Sequence, residues 1–194
     1  MSPLQLQIHI INTKKAVELN HLWHSRLPII TNPYGRHGIC FGAEYKNIWY
    51  ATAIWTDPIA RLFNGKGFIE LRRMAIAKNA PVNTASRMIK IMGIIIKNTF
   101  PDIYKLISYQ DTEVHMGTIY KASGWTPIIA NKNSNWTRLN TNRFRVENQA
   151  TGPKIRWGKQ IRPEPNPEIK KTKNENRQLK LFDSGPQTQT GGRK

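Results

Sequence analysis

Apolar and polar positions alternate at the start of the chain and then change period. "LQLQIHII" (4–11) alternates closely enough to be a strand. "NTKKAVELNHLWHSRLP" (12–28) then offers Asn12 or Thr13 as a cap, Ala16, Leu19 and Trp23 at helical spacing, and Pro28 as a stop. "GRHGICFGAEY", the dipeptide "KN" and "IWYATAIW" predict a hairpin, and "FIELRRMAI" a further strand. "NAPVNTASRMIKIMGIIIKNTFP" predicts a helix between Pro81 and Pro101 whose buried stripe is Met88, Ile91, Met92 and Ile95. "YKLISYQ" reads as a strand, "DTEVHMGTIYKASG" as a short capped helix, and "WTPIIA" as the next strand. Strand, helix, strand, helix, strand in this order predicts an α/β domain with a parallel pair inside a mixed central sheet flanked by helices.

Composition divides the chain. At 194 residues it can bury one substantial core and carry an appendage. The expected division is a folded domain over 1–158 and a basic tail over 159–194, where "EPNPEIKKTKNENRQ" and "SGPQTQTGGRK" hold too few apolar residues to fold alone. Thirty Lys and Arg against twelve Asp and Glu give a formal charge of +18, and the first 149 residues alone carry nineteen basic against eight acidic side chains. A basic face on the folded part is expected, and nucleic acid is the partner that suits it. A membrane is not: the apolar run Ile94 to Ile96, even with its neighbours Ile91 and Met92, is far too short for a span. The single cysteine, Cys40, and the lack of a secretion signal fit a reducing cytoplasm.

Several motifs agree on more. "GTIYKASGW" resembles the A-x-x-L-Y-x-K-x-G-F helix of the GNAT acyltransferase superfamily, and Tyr120 falls on the tyrosine that in that superfamily protonates the departing thiolate. The longer pair "ELRRMAIAKNAPVNTASRMIKIMG" and "LISYQDTEVHMGTIYKASGW" resembles a narrower group, the Mom proteins of bacteriophages. That resemblance implies a single GNAT-like domain. It also implies an enzyme that converts the exocyclic N6 of adenine in DNA to a carbamoylmethyl (acetamido) derivative, protecting phage DNA from restriction. One departure stands out: the loop before the helix is "KNAPVNTAS", without the glycines of the R-x-x-G-x-G/A pyrophosphate cradle. A helix N-terminus still offers free N–H groups to an anion.

The candidate catalytic residues are Tyr120 as acid; Asp111, to orient the adenine or take its proton or simply to cap a helix; Ser86 in a first helical turn; and His24, at the family's histidine region. Arg73, Asn83 and Thr84 are candidates for holding the acyl donor, either acetyl coenzyme A or glycyl-tRNA. Arg72 and Arg73, adjacent on a strand, are expected to face opposite sides. His21 and His24, three apart on a helix, are at most half of a metal site. Arg26, Arg36, Arg72, Arg143, Arg145 and Arg156 are the DNA-contact candidates, with Trp23, Tyr34, Trp136 and Trp157 interleaved for stacking. Two rival functions are an acetyltransferase acting on a protein or small-molecule amine, and a DNA-binding protein without catalysis. In the tail, "QLKLF" resembles the peptide that docks on the bacterial DNA polymerase sliding clamp, with Gln178, Leu179, Leu181 and Phe182 as its anchors. If it docks, replacing Leu181 and Phe182 by Ala abolishes pull-down of the clamp; unchanged pull-down removes the partner.

Overall fold

The computed structural model describes residues 1–24, 35–131 and 153–165. A turn of 3₁₀ helix, Pro3–Gln5, leads into β1 (Gln7–Ile11), and α1 (Thr13–Trp23) follows. Asn12 starts that helix by accepting the Lys15 amide at 2.8 Å. Lys46 and Asn47 both take positive φ, 51° and 63°, the backbone that a two-residue turn between right-twisted strands requires. They join β2 (Ile39–Tyr45) to β3 (Ile48–Thr56), as the alternation predicts. Then come β4 (Phe68–Ile76), α2 (Thr84–Thr99), β5 (Lys105–Asp111), α3 (Thr118–Ala122), β6 (Thr126–Asn131) and β7 (Lys154–Gln160).

All seven strands form one sheet in the order β1-β2-β3-β4-β5-β7-β6. β4 and β5 are the parallel pair, and every other neighbour is antiparallel. β7 follows 131–153 in the chain yet inserts between β5 and β6; sequence patterning did not reveal it. The compact unit runs from Met1 to Arg162, and a second unit, Pro163–Lys194, lies almost entirely outside the described residues. The tail expected from 159 starts inside the compact unit, since Lys159 and Gln160 belong to β7 and the Ile161 and Arg162 amides bond to the Tyr104 carbonyl; its 178–182 peptide lies outside the described residues.

The two faces of the sheet have separate cores. Ile54 of β3 packs with Ala16 of α1 and Cys40 of β2, while its neighbour Trp55 turns to the opposite face among Met88, Ile89, Met92 and Ile96 of α2. Cys40 is a buried free thiol pushed up to about 11 by burial, as a packing residue should be. The stripe of α2 is rotated from its predicted position: Ile89, Gly93 and Ile96 are buried with Met88 and Met92, whereas Ile91 and Ile95 are half-buried. Gly93 is the reason, because a Cβ there would stand 3.3 Å from Leu106 of β5, so the helix approaches the sheet along a glycine-containing row. The helix predicted over 111–124 shrinks to α3. Residues 112–117 form a turn, closed by Gly117 at φ 72°.

Ile96→Ala, removing a fully buried side chain, should cost about 2–5 kcal/mol in urea denaturation. Ile94→Ala, on the face that is 61 % exposed, should stay within about 0.5 kcal/mol of the parent.

Candidate active site

β4 and β5 pair along only part of their length. Phe68 to Leu71 lie opposite Lys105 to Ser108, but β4 continues to Ile76 and β5 to Asp111 without further rungs between them. The separation starts at a bulge: Ile54 pairs with Arg73 and Trp55 with Leu71, leaving Arg72 as an extra residue. Ser108 sits at the last rung and donates its hydroxyl proton to the Leu71 carbonyl across the gap (3.0 Å). The Tyr120 phenol lies 2.9 Å from the same Ser108 oxygen, so it is held where the two strands part. With the serine proton committed to Leu71, the phenol proton is directed at Ser108. Tyr120 stacks on Trp157 (5.4 Å, 14°) and tilts against Trp125. Burial, opposed by the Ser108 hydrogen bond, raises the phenol above its ordinary pKa. Ser108 carries no motif of its own in the sequence, although Leu106, Ser108 and Gln110 share one face of β5 and two of the three are buried polar groups. That break in an apolar face was the available signal.

A basic cluster lines the open part of the fork. The bulge undoes the alternation that would send Arg72 and Arg73 to opposite faces, and both act on the buried Glu70 carboxylate. The Arg72 Nε lies 3.5 Å from Glu70, whose other oxygen accepts the Ile59 amide at 3.3 Å. Burial raises Glu70 despite these partners. Burial first and Arg72 second push Arg73 down to about 10, which leaves it charged at neutral pH. Arg156 lies over the Phe63 ring at 4.6 Å and hydrogen-bonds Tyr109 of β5. His24, half-buried at the C-cap of α1, is lowered by burial and then by Arg73 and His115. Four buried nitrogens here have no partner: His24 Nδ1, Arg72 Nη1, Arg73 Nε and Arg156 Nε.

A cleft of about 180 Å³ opens at the N-terminus of α2, lined by Ile76, Asn83, Thr84, Ser86, Thr118 and Ile119 among others. Asn83 precedes α2 with φ 68°, and its side chain makes no capping bond. The hydroxyls of Thr84 and Ser86 are engaged locally, on the carbonyls of Pro81 (2.6 Å) and Asn83 (3.1 Å). The amides of Ala85 and Ser86 precede the first intrahelical bond, Arg87 to Asn83, and remain for an anion.

Other candidates lie apart from the fork or in unexpected roles. Asp111 ends β5 rather than capping a helix, and its Oδ1 accepts the Glu113 amide at 3.0 Å. Trp157 is 2 % exposed and donates to Gln110, so it is core and no stacking surface for a base. Arg36 is at the end of the sheet where β5 begins, its amide on Asp57 and its guanidinium 3.7 Å from Asp102. His37 bridges the same two aspartates at 2.5 and 3.0 Å. His21 is exposed while His24 turns inward, and among the described residues no group of three or more His, Cys, Asp or Glu could hold a metal ion. No described helix is long and apolar enough to cross a membrane. Arg26, Arg143, Arg145, Tyr34 and Trp136 lie outside the described residues.

The sequence pattern of the Mom protein family matches residues 5–181. This chain belongs to the Mom protein family. No curated protein matches it significantly. Among solved structures, this Mom-family chain is similar to a Bacillus subtilis acetyltransferase in complex with CoA (10% identity, 81% of this chain and 99% of that one, TM-score 0.58). It is similar too to the ribosomal-protein-S18-alanine N-acetyltransferase of Escherichia coli (10%, 84% and 97%, TM-score 0.59). A third neighbour is a GNAT family acetyltransferase from Elizabethkingia anophelis with acetyl-CoA bound (13%, 81% and 99%, TM-score 0.52). Together they establish the GNAT fold for this member of the Mom family.

Ser108→Ala should cost about 1–3 kcal/mol in urea denaturation, because it leaves the buried phenol without its acceptor. Tyr120→Phe keeps the bond from Ser108 to Leu71 and should cost less, about 0.5–1.5 kcal/mol.

Proposed function

We propose that this chain acylates the exocyclic N6 of adenine in DNA, and that the final product carries the carbamoylmethyl (acetamido) group that keeps restriction enzymes from cutting phage DNA. The observation that carries this reading is the Tyr120 phenol at the parting of β4 and β5, in a Mom-family chain with the GNAT fold. The excess of basic residues supports DNA as the carrier of the acceptor.

The adenine amine is a weak nucleophile because its lone pair is delocalised into the ring, so the site must position it, take a proton and supply an acid. Tyr120 is the acid; its raised pKa keeps it protonated at neutral pH. Once the phenol has given up its proton, Ser108 can turn from Leu71 and donate to the phenolate. His24, neutral through burial and with Nδ1 unpartnered, is suited to accept the proton from N6. Asp111 stands at the end of β5 to orient the base. Arg73 and the Ala85 and Ser86 amides suit a donor with a phosphate-bearing handle, which coenzyme A and tRNA both have. Asn83 and Thr84 would line that handle.

The two donors differ in product. Acetyl transfer from acetyl coenzyme A would leave N6-acetyladenine. A glycyl group on N6 carries an amine that can attack C6 through a five-membered ring. As the original C6–N6 bond breaks, the old N6 becomes the amide nitrogen and the product is carbamoylmethyl.

Nucleosides from cells expressing the chain and fed nitrogen-labelled glycine test both points by mass spectrometry. A deoxyadenosine derivative is expected with the parent chain and should fall at least about 100-fold with Tyr120→Phe. Label beyond that in unmodified deoxyadenosine marks the glycyl donor, and its absence removes that donor. Unaltered bases alongside abundant soluble protein would overturn the DNA reading and favour a protein or small-molecule amine, or binding without catalysis.

A further inference from the structure

Met116 is the most exposed large apolar side chain among the described residues, at 82 %. It sits on a turn that is braced on both sides. The Gln110 side-chain amide donates to the His115 carbonyl, and its oxygen accepts from the Trp157 indole at 2.7 Å. Gly117, on the other side, takes φ 72° and packs so closely that a Cβ would meet Gln110 and the Trp157 ring. The amides of Val114 and His115 return to the Asp111 carbonyl. The Thr112 amide and hydroxyl both donate to Pro153, just before β7. Gln110 and Trp157 are themselves buried, so the turn is anchored in the core while its tip presents a thioether to water.

The tip is beside the basic cluster. His115 acts electrostatically on His24, which Arg73 also reaches, and Lys154 faces Asp111 across the β5–β7 ladder. Val114, 44 % exposed, widens the apolar tip. A rigid apolar projection next to unpartnered cationic nitrogens is the arrangement by which proteins open a base step: the cations hold the phosphates while the apolar group enters the stack. An adenine that leaves the duplex for a pocket vacates a slot between two neighbouring base pairs. A polarizable, unbranched side chain suits that flat space.

We propose that Met116 enters the duplex and fills the space left by the extruded adenine, an inference that rests on the DNA reading above. The test uses the full chain and a DNA duplex carrying 2-aminopurine in place of several adenines. This probe brightens on unstacking and has no N6 amine to be modified. Binding is followed by anisotropy and unstacking by fluorescence on the same samples. The parent chain should bind and raise the fluorescence. Met116→Ala should bind within about twofold of the parent but lose roughly tenfold in the unstacking equilibrium, and Met116→Phe should restore it. Because the side chain is exposed, these variants should melt with the parent. A Met116→Ala protein that binds and unstacks like the parent overturns the wedge and leaves adenine modification standing. A parent chain that fails to bind the duplex, or binds without unstacking it, overturns base extrusion and the wedge with it.

Discussion

The parting of β4 and β5 is the constraint on which the candidate site depends. β5 is held along its whole length by β7, and β4 is held by β3 on its other side. Once the extra residue at Arg72 shifts the register of β4, the parallel ladder has nothing to continue it beyond Leu71 and Ser108. Each strand then follows its own antiparallel partner, and the right-handed twist of the sheet carries the two apart. The Ser108 hydroxyl supplies a side-chain bond to the Leu71 carbonyl at the end of the ladder, and that hydroxyl in turn fixes the phenol. Opening the sheet and fixing the phenol are therefore two consequences of one interruption.

The helices hold their places by similarly specific bonds. The Ser123 hydroxyl donates to the Ser86 carbonyl at 3.1 Å, tying α3 to the first turn of α2, and Lys159 of β7 donates to the Ser123 carbonyl at 2.8 Å. Tyr120 and the α2 N-terminus are thus tied together through Ser123. The charge around them is poorly balanced. Arg72, Arg73 and Lys154 act on a single buried carboxylate, Glu70, which burial itself pulls toward the neutral form. Leaving buried guanidinium N–H groups without acceptors is unfavourable by about 1–3 kcal/mol for each. A bound anion that accepted from these N–H groups would stabilise the folded chain.

Features whose cause is local were legible in the sequence: the Asn12 cap and the Lys46–Asn47 turn each depend on a few adjacent residues, and the parallel pair follows from the order of strand, helix and strand. Features set by distant pairing were not. In "KIRWGKQ" Ile155 and Trp157 alternate with basic residues as any edge strand might, and only the tertiary fold places it between β5 and β6. Trp157 consequently read as a stacking surface and proved to be core. The stripe of α2 was misplaced because Gly93 carries no hydrophobic signal yet sets the line of closest approach to the sheet. Glu70 and Ser108 were passed over for a related reason: polar residues inside apolar strands look like interruptions until their partners are known.

The missing glycines before α2 have a physical resolution in the same terms. A backbone that turns sharply into a helix and presents its first amides needs one residue in the left-handed region. Glycine enters that region freely, and asparagine is the side-chain-bearing residue that does so with little penalty. Asn83, at φ 68°, takes that conformation directly before Thr84. A left-handed residue followed by a right-handed one brings successive amides together into a concave cradle for an anion. With its side chain free of any capping bond and the Ala85 and Ser86 amides ahead of the helical ladder, the loop has lost the glycine pattern but kept the geometry that pattern serves. Sequence motifs of this kind record one solution to a conformational demand, and the left-handed asparagine is another.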